Sequence, residues 1–223
     1  MSSSVRSGPI EAALFDLDGT LVDSLTDIAA SMNHVLSELG HPQHDEATLQ
    51  GFIGEGARHL VAQSLPANTS DPAIDDALDR YKARYRTHLL VNTRPFEGTL
   101  AMLDALAARG IKLGVVTNKP HRAAEHMTTA LFGKERFGVV LGESPGRKKP
   151  DPQIALDAAM ALGVAPENCA FIGDTHIDIE TAHAAGMRSV GVSWGLRPRS
   201  ELEAAAAMHI VDQVEELTSL LAG

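Results

Sequence analysis

The sequence predicts an α/β protein in which a helix-covered parallel sheet is interrupted by an all-helical insertion. Short apolar runs alternate along most of the chain with amphipathic stretches, which is typical of a parallel sheet covered on both faces. Residues 23–94 break this pattern, because they contain no convincing strand and place apolar residues at helical spacing. We therefore divide the chain into an α/β core, residues 1–22 and 95–223, and a helical domain, residues 23–94.

The strands and the helices of the core follow from apolar runs and from the glycines that end periodic segments. A glycine directly after such a segment is typical of a helix C-terminus, because it adopts the left-handed backbone conformation without a steric penalty. The predicted strands are Ile10–Phe15, Ile111–Val116, Val139–Leu141, Ala170–Ile172, Ser189–Val192 and His209–Val211. The predicted helices that end in this way are Thr99–Arg109, Pro152–Leu162 and Ile177–Ala185.

Two helices are predicted inside the insertion. Ser24–Leu39 places apolar side chains on one face and is followed by glycine. Ser24 and Asp27 resemble a capping box, in which each side chain bonds the backbone N–H of the other residue. Asp71-Pro72 predicts the start of the second helix, because proline suits the first helical turn. The apolar face of this helix consists of Ile74, Ala77, Leu78, Tyr81 and Tyr85.

The chain is acidic, with a formal net charge of −10 over 223 residues. This charge argues against a nucleic-acid partner, because phosphate backbones are bound by basic surfaces. It permits a small anionic substrate, since a metal ion and a few local cations can set the potential inside one cleft.

Few features of the sequence report on compartment or assembly. Cys169 is the single cysteine, so no intrachain disulfide can form and nothing indicates an oxidising compartment. Met1–Pro9 is rich in serine and lacks the apolar core of a signal peptide, and no apolar run reaches membrane-spanning length. We expect a cytoplasmic protein with a frayed N-terminal tail and no membrane partner, whereas the oligomeric state is not indicated.

Acidic side chains follow the first and the fourth predicted strands, where ligands of open parallel sheets bind. Asp16 and Asp18 are two residues apart, so an extended backbone directs both carboxylates to one side, and a divalent cation would relieve their repulsion. Asp174 and Asp178 are one helical turn apart, which suits a metal ligand supported by a second acid. The alternatives are a surface Asp-Gly turn for the first pair, and for the second an N-cap acid with a first-turn acid that the helix dipole favours.

Two further clusters contribute hydrogen-bond donors and a cation. Thr117 and Asn118 follow the second strand and could donate to a phosphoryl oxygen, or one of them could cap the helix that Pro120 begins. Lys149 precedes a proline, which holds its backbone extended. Its ammonium group could neutralise a phosphate or an attacking carboxylate, or could lie in a solvated basic turn.

The four clusters together favour a functional interpretation of each. They supply three carboxylates for a hard cation, a hydroxyl, an amide and a lysine. Those groups are what magnesium binding and the stabilisation of a transferring phosphoryl group require.

In this combination the sequence resembles the haloacid dehalogenase-like hydrolase superfamily from Ile10 to about Leu220. Its four motifs occur in order as Asp16–Ser24, Thr117–Lys119, Lys149-Pro150, and Gly173–Thr175 with Asp178. The resemblance implies a Rossmann-like core and, in one subgroup, a helical cap inserted after the first motif. Residues 23–94 fit that cap.

The resemblance also implies roles in catalysis. Asp16 is the implied nucleophile, which forms an aspartyl-phosphate, and Asp18 is the implied acid and base, which protonates the leaving alcohol and then activates water. Thr117 and Asn118 hold the phosphoryl group, and Lys149 offsets its charge. Dehalogenases of the family lack the second aspartate, so Asp18 argues against dehalogenation.

The implied cofactor is Mg²⁺. By resemblance it is held by a carboxylate oxygen of Asp16, the main-chain carbonyl of Asp18 and the carboxylate of Asp174. Asp178 supports these ligands from behind.

Within the superfamily the chain resembles phosphoglycolate phosphatases most. The insertion contains a segment, Gly51–Ala57, that is similar to the substrate loop of that subgroup, so Gly54, Glu55 and Gly56 are candidate substrate-binding residues. Arg58 could pair with a substrate carboxylate, for which a guanidinium group is suited, or could be a solvated helix residue. The other stretches that carry this resemblance are Val115–Pro120, Lys148–Pro152 and Phe171–Gly186.

We therefore expect a magnesium-dependent phosphoric monoester hydrolase for a small phosphorylated metabolite, with 2-phosphoglycolate as the first candidate. A sugar-phosphate phosphatase or mutase, or a pyrophosphatase, would use the same core. A phosphonate-cleaving enzyme would need a lysine in the insertion, where Lys82 lies in a polar, solvated helix stretch. A non-catalytic sensor of a phosphometabolite is the alternative of a different class, and competent residues at every catalytic position argue against it.

Overall fold

The structure is a computed structural model that describes residues 8–221, so residues 1–7 of the predicted N-terminal tail lie outside the described residues. The strands are β1 (Ala12–Phe15), β2 (Val22–Asp23), β3 (Arg94–Pro95), β4 (Lys112–Pro120), β5 (Val139–Glu143), β6 (Cys169–Gly173), β7 (Arg188–Val192) and β8 (His209–Val211). The helices are α1 (Leu25–Glu38), α2 (Glu46–Gln50), α3 (Ala57–Ser64), α4 (Asp71–His88), α5 (Thr99–Ala108), α6 (His121–Phe132), α7 (Gln153–Leu162), α8 (His176–Ala184), α9 (Arg199–Ala204) and α10 (Val214–Leu221).

Six of these strands form one parallel sheet in the order β5-β4-β1-β6-β7-β8. All six predicted strands are present, and the predicted α/β class is confirmed. β1 lies in the middle of the sheet, where Leu14 pairs with Gly114 of β4 and with Phe171 of β6. The carboxyl ends of β1, β4 and β6 therefore meet at one edge, which brings the polar clusters of the sequence together.

Helices cover both faces of the sheet, and the side chains of β1 alternate between two hydrophobic cores. Ala13 and Phe15 belong to the larger core, whereas Ala12 and Leu14 belong to the smaller one, as the two-residue period of a strand requires. This packing on both faces buries the whole of β1 and leaves only its carboxyl end for chemistry.

Helices α1–α4 form a helical insert, residues 24–93, between β2 and β3. β2 and β3 pair antiparallel, with Asp23 opposite Arg94, so the chain enters and leaves the insert at adjacent points. The predicted apolar face of α4 is confirmed, since its five residues are buried. Among the described residues, no helix is both long and apolar enough to cross a membrane.

The predicted capping box of Ser24 and Asp27 is wrong. The Ser24 hydroxyl donates to Asp18 at 2.6 Å, and the Asp27 carboxylate accepts hydrogen bonds from Asn92 and Thr93 at 2.8–2.9 Å. Burial raises the pKa of Asp27, but these hydrogen bonds outweigh it and hold the pKa below its usual value. The carboxylate thus ties the start of the insert to its end instead of capping α1.

Candidate active site

Asp16 directly follows β1 and is held at the sheet edge by its own backbone, whose N–H donates to the carbonyl of Ile172 at 2.8 Å. Its Oδ1 accepts from the Leu17 N–H at 2.7 Å and lies 3.0 Å from the Nζ of Lys149. Burial raises the pKa of Asp16 to about 6, although the Lys149 ammonium lowers it and Asp178 raises it further. A buried carboxylate with one oxygen beside a lysine is therefore present where the sequence predicts the nucleophile.

Lys149 links two of the predicted acids. Its Nζ lies 2.6 Å from Asp178 and 3.0 Å from Asp16, and its side chain is 2% exposed. Burial alone would lower the pKa of Lys149, but the two carboxylates outweigh burial and raise it, so the ammonium stays charged. The neighbouring Lys148 points elsewhere and donates to the carbonyl of Glu55 at 2.7 Å.

Three carboxylates converge beside this lysine. Oxygens of Asp16, Asp174 and Asp178 lie within 4.8 Å of one another, and all three residues are buried. Burial raises the pKa of Asp174 well above its usual range, and the charges of the two other acids raise it further. One ammonium group leaves such a cluster short of positive charge, and a hard divalent cation such as Mg²⁺ prefers carboxylate oxygens. The donor set therefore fits magnesium.

Asp174 and Asp178 differ in what holds them. Asp174 accepts from the Thr20 hydroxyl and from the Leu196 N–H, both at 2.8 Å. Asp178 forms a capping box with Thr175 at the start of α8 and also binds Lys149. Asp178 is the predicted first-turn acid of α8 and also contacts the lysine, whereas Asp174 is not the N-cap, because Thr175 occupies that position.

Two glycines make room for Asp174. Gly19 has a φ of +84°, and a β-carbon at this position would overlap the Asp174 carboxylate. A β-carbon at Gly195 would overlap the same side chain. The sequence indicated Gly19 through the turn after β1, but it contained no signal for Gly195, which lies far along the chain.

Asp18 lies apart from the three converging acids. Both of its oxygens are 2.9 Å from the Nζ of Lys119, and one also accepts from Ser24. Lys119 is buried, and its Nζ further contacts the hydroxyl of Tyr85 at 2.6 Å. The side chain of Asp18 thus faces the insert, which agrees with a role distinct from that of Asp16. Lys119 is absent from the predicted site residues, although it stands in the predicted Thr117–Lys119 motif.

Thr117 and Asn118 lie within β4, which continues to Pro120 instead of ending at Val116. A register shift precedes the pairing of Pro120 with Glu143 of β5. The Asn118 amide donates to the carbonyls of Gly54 and Lys149, both at 3.0 Å, and its oxygen accepts from the Lys149 N–H. The alternative that one of these residues caps the next helix is wrong, because Pro120 occupies the N-cap of α6. A direct contact from either side chain to a phosphoryl group stays a prediction.

A small cavity of about 50 Å³ lies between the sheet edge and the insert. The core contributes polar residues to its wall, among them Asp16, Asp18 and Lys119. The insert contributes a largely apolar and aromatic wall, which consists of Ile28, Ile53, Gly54, Gly56, Ala57, Leu60, Tyr81 and Tyr85. This cavity is the place where a reacting group would meet the predicted catalytic residues.

The four predicted substrate-binding residues of the insert divide into two pairs. Gly54 and Gly56 line the cavity. Glu55 is exposed, and Arg58 forms exposed ion pairs with Asp71 at 2.7 Å and Asp75 at 3.1 Å. The structure therefore supports the solvated alternative for Arg58, because its guanidinium group is paired outside the cavity wall.

Comparisons with known proteins agree with this geometry. A family model of haloacid dehalogenase-like hydrolases matches residues 13–192. N-acetylmuramic acid 6-phosphate phosphatase of Pseudomonas aeruginosa is 35% identical over 214 residues, which are 95% of each chain. Phosphoglycolate phosphatase of Rhodospirillum rubrum is 36% identical over 215 residues, 93% of this chain and 89% of the relative.

A solved structure described as a candidate phosphoglycolate phosphatase of Lactobacillus delbrueckii subsp. bulgaricus superposes with a TM-score of 0.89. It is 31% identical and covers 97% of this chain and 100% of its own. The family match runs from β1 through β7 and so includes all four clusters of predicted site residues. The chain therefore belongs to the haloacid dehalogenase-like hydrolase family.

Proposed function

We propose that the protein is a magnesium-dependent phosphatase that hydrolyses a small phosphate monoester through an aspartyl-phosphate. The observation that carries this proposal is the position of Asp16. Its carboxylate is buried beside the Lys149 ammonium and two further acids, and it faces a cavity that the insert covers. A nucleophile with its charge balanced in this way suits attack on a phosphoryl group that is itself negative.

The proposed reaction has two steps at phosphorus. An oxygen of Asp16 attacks the phosphorus atom, the bond from phosphorus to the alcohol oxygen breaks, and Asp18 supplies the proton that the alcohol takes. Water then attacks the same phosphorus atom while Asp18 accepts its proton, and the acyl-phosphate bond breaks to regenerate Asp16. Before the reaction Lys149 is charged, because the carboxylates of Asp16 and Asp178 raise the pKa of its ammonium group.

Magnesium fits the donor set of the converging acids. Asp16 and Asp174 would hold the ion through carboxylate oxygens, and the main-chain carbonyl of Asp18 would complete the protein ligands. Asp178 would support them, since it is already bonded to Lys149 and Thr175. When bound, the ion would supply positive charge to the phosphoryl oxygens.

The first candidate substrate is 2-phosphoglycolate. Its support is the resemblance to relatives that are named phosphoglycolate phosphatase at 36–37% identity. Lys119 is the cationic residue that lines the cavity, and its Nζ contacts Tyr85 of the insert, so it would be the partner for a substrate carboxylate. This ammonium is already paired with Asp18, and a carboxylate would have to share it.

The second candidate is a sugar phosphate such as N-acetylmuramic acid 6-phosphate. A relative with that name is 35% identical over 95% of this chain. The insert wall also presents Tyr81 and Tyr85 with their rings stacked 5.5 Å apart, and aromatic rings suit the apolar face of a sugar. The apolar character of this wall is the observation that favours an uncharged ring in the leaving group.

A panel of phosphate esters tests both candidates. With Mg²⁺ present, we expect the highest kcat/KM for 2-phosphoglycolate, by at least about tenfold over hexose phosphates, pyrophosphate and p-nitrophenyl phosphate. A preference for N-acetylmuramic acid 6-phosphate would replace the first candidate with the second. Tight binding of an ester without magnesium-dependent turnover would instead indicate a sensor.

A substitution of the nucleophile tests the mechanism. We expect Asp16→Asn to abolish turnover, because the amide is a poor nucleophile of nearly the same shape. Asp23→Asn is the matched control, since Asp23 is exposed at the start of the insert. Turnover that survives Asp16→Asn would refute the aspartyl-phosphate mechanism, and turnover that survives EDTA would refute the role of magnesium.

A further inference from the structure

Several core side chains bind one loop of the insert through the carbonyl oxygens of its backbone. This insert loop, residues 50–56, runs from the last residue of α2 to the start of α3 and contributes Ile53, Gly54 and Gly56 to the cavity wall. Its carbonyl oxygens accept hydrogen bonds from three core side chains, Asn118, Lys148 and Arg197. These hydrogen bonds from the core therefore do not depend on which side chains the loop carries.

Arg197 donates more of these hydrogen bonds than Asn118 or Lys148 does. Its guanidinium donates to the carbonyls of Gln50 at 3.1 Å, Gly51 at 2.9 Å and Ile53 at 2.8 Å. The planar fork of an arginine is suited to such multiple bonds, and carbonyls at the end of a helix lack partners within the helix. The Arg197 side chain is 17% exposed, so these bonds are in part shielded from water.

The contact is reciprocal and reaches the acid cluster. The Gln50 side chain donates back to the carbonyl of Leu196 at 2.6 Å, and the Leu196 N–H donates to Asp174 at 2.8 Å. Leu196 thus binds the predicted metal ligand Asp174, and the next residue, Arg197, binds the insert loop. The loop position and the acid cluster are set by the same stretch of backbone.

A carboxylate of α9 orients the arginine from the other side. Glu201 lies 3.6 Å from the Nε of Arg197 and also contacts His176 at 2.6 Å. Glu201 leaves both terminal nitrogens of the guanidinium free for the loop, because its contact is to Nε. The contact between Arg197 and the insert loop is therefore part of a network that includes residues of α8 and α9.

We propose that Arg197 is a positioning residue that holds the insert loop over Asp16 and so shapes the wall against which the substrate packs. The kinetic part of this inference rests on the proposed phosphatase function. Asp16, Lys149 and Asp174 are assembled by the core, so loss of Arg197 should affect substrate binding more than the chemical step. The expected result is a rise in KM of roughly ten- to a hundredfold, the range for hydrogen bonds from a charged group, with a smaller fall in kcat.

Amide hydrogen exchange tests, without any substrate, whether Arg197 holds the insert loop. Amides of residues 51–57 should exchange faster in Arg197→Ala than in the wild type, whereas amides of β1 and β6 should keep their exchange rates. Arg197→Lys should give an intermediate result, because a single ammonium reaches fewer carbonyls than a guanidinium. Arg199→Ala is the matched control, since Arg199 lies two residues along and pairs on the surface with Glu203 and Asp212.

The possible outcomes separate this inference from the proposed function. Unchanged loop exchange together with an unchanged KM in Arg197→Ala would overturn it, and so would faster exchange throughout the core, which would make Arg197 a general structural residue. A wild type that hydrolyses none of the esters would refute the proposed function alone. The exchange of the loop would still decide whether Arg197 holds it.

Discussion

Two buried lysines flank the proposed reaction centre, and their surroundings differ. The side chains of Lys149 and Lys119 are each only 2% exposed. Each also lies against an aromatic ring, since the Nζ of Lys149 is 5.6 Å from the ring of Phe171 and that of Lys119 is 4.5 Å from the ring of Tyr85. The rings differ in origin, because Phe171 belongs to the sheet and Tyr85 to the helical insert.

The acidic partners show the same difference. Lys149 binds Asp16 and Asp178, which both follow strands of the core. Lys119 binds Asp18 of the core but completes its contacts with Tyr85 of the insert. The proposed nucleophile, Asp16, thus has a lysine partner that contacts only core residues, whereas the proposed acid and base, Asp18, has a lysine partner that also contacts the insert.

The largest effect should come from Lys149→Met. Removal of the ammonium should lower kcat by a factor on the order of 10²–10³, as for the loss of one preorganised donor at a transition state. It should also lower the free energy of unfolding by about 3–5 kcal/mol in EDTA, because Asp16 and Asp178 lose their buried counter-ion. Steady-state kinetics and urea denaturation measure the two effects.

Lys134→Met provides the control, since Lys134 is exposed after α6. If Lys149→Met kept kcat within about tenfold of the wild type, the ammonium would not act on the transition state. The expected difference in kcat between the Lys149 and Lys119 variants would then be absent.

The next largest effect should come from Lys119, whose contacts include Tyr85 of the insert. Lys119→Met should lower kcat by roughly ten- to a hundredfold, because it removes a charged hydrogen-bond partner of Asp18. Tyr85→Phe should lower kcat by about fivefold, because it removes a single hydroxyl group. The double variant should lose no more than Lys119→Met alone, since Tyr85 acts through the ammonium. Additive losses in this double-mutant cycle would show that Tyr85 affects kcat independently of Lys119.

The pH dependence of stability reports on the Lys149 side of the comparison. Burial raises the pKa of Asp16 from 3.8 to about 6, so the metal-free folded state binds this proton more tightly than the unfolded state does. The corresponding stabilisation is present below pH 3.8 and is lost as pH rises through about 6. Relative to Asp16→Asn, the wild type in EDTA should therefore become less stable over this window.

Mg²⁺ should cancel that loss, because the ion binds the ionised carboxylates and favours the folded state. Denaturation midpoints of both proteins, with EDTA and with Mg²⁺, provide the comparison. A metal-free wild type that gained stability over Asp16→Asn with rising pH would contradict the raised pKa.

The smallest effect should come from Arg58→Ala. Arg58 is paired on the surface with Asp71 and Asp75, so its loss should leave kcat/KM for 2-phosphoglycolate unchanged. The insert would then act on the site through Tyr85 and not through a charged group of its own. A rise in KM for 2-phosphoglycolate but not for p-nitrophenyl phosphate would place Arg58 at the substrate and revise this view.

Much of the fold was predictable, because its signals are periodic and local. Alternating apolar runs identified all six strands of the sheet, and the spacing of apolar residues identified the buried face of α4. Parallel strands expose their carboxyl ends at one edge, so the sequence also indicated that Asp16, Lys149 and Asp174 would gather there. The limits of some elements were shifted, as for β4, whose register shift carries it to Pro120, and the short elements β2, β3, α2 and α3 were not predicted.

The sequence by itself thus determined the sheet, the position of the insert and the residues that meet at the sheet edge, since each depends on a repeat or on a motif of adjacent residues. Tertiary structure alone decided which side chains turn inward. Lys119 is buried against Asp18, 101 residues away, and Arg197 reaches carbonyls that lie 144–147 residues earlier. Arg58 is instead drawn to two acids on the surface of the insert. Such pairings depend on how segments that are distant in the sequence pack together, which no local pattern encodes.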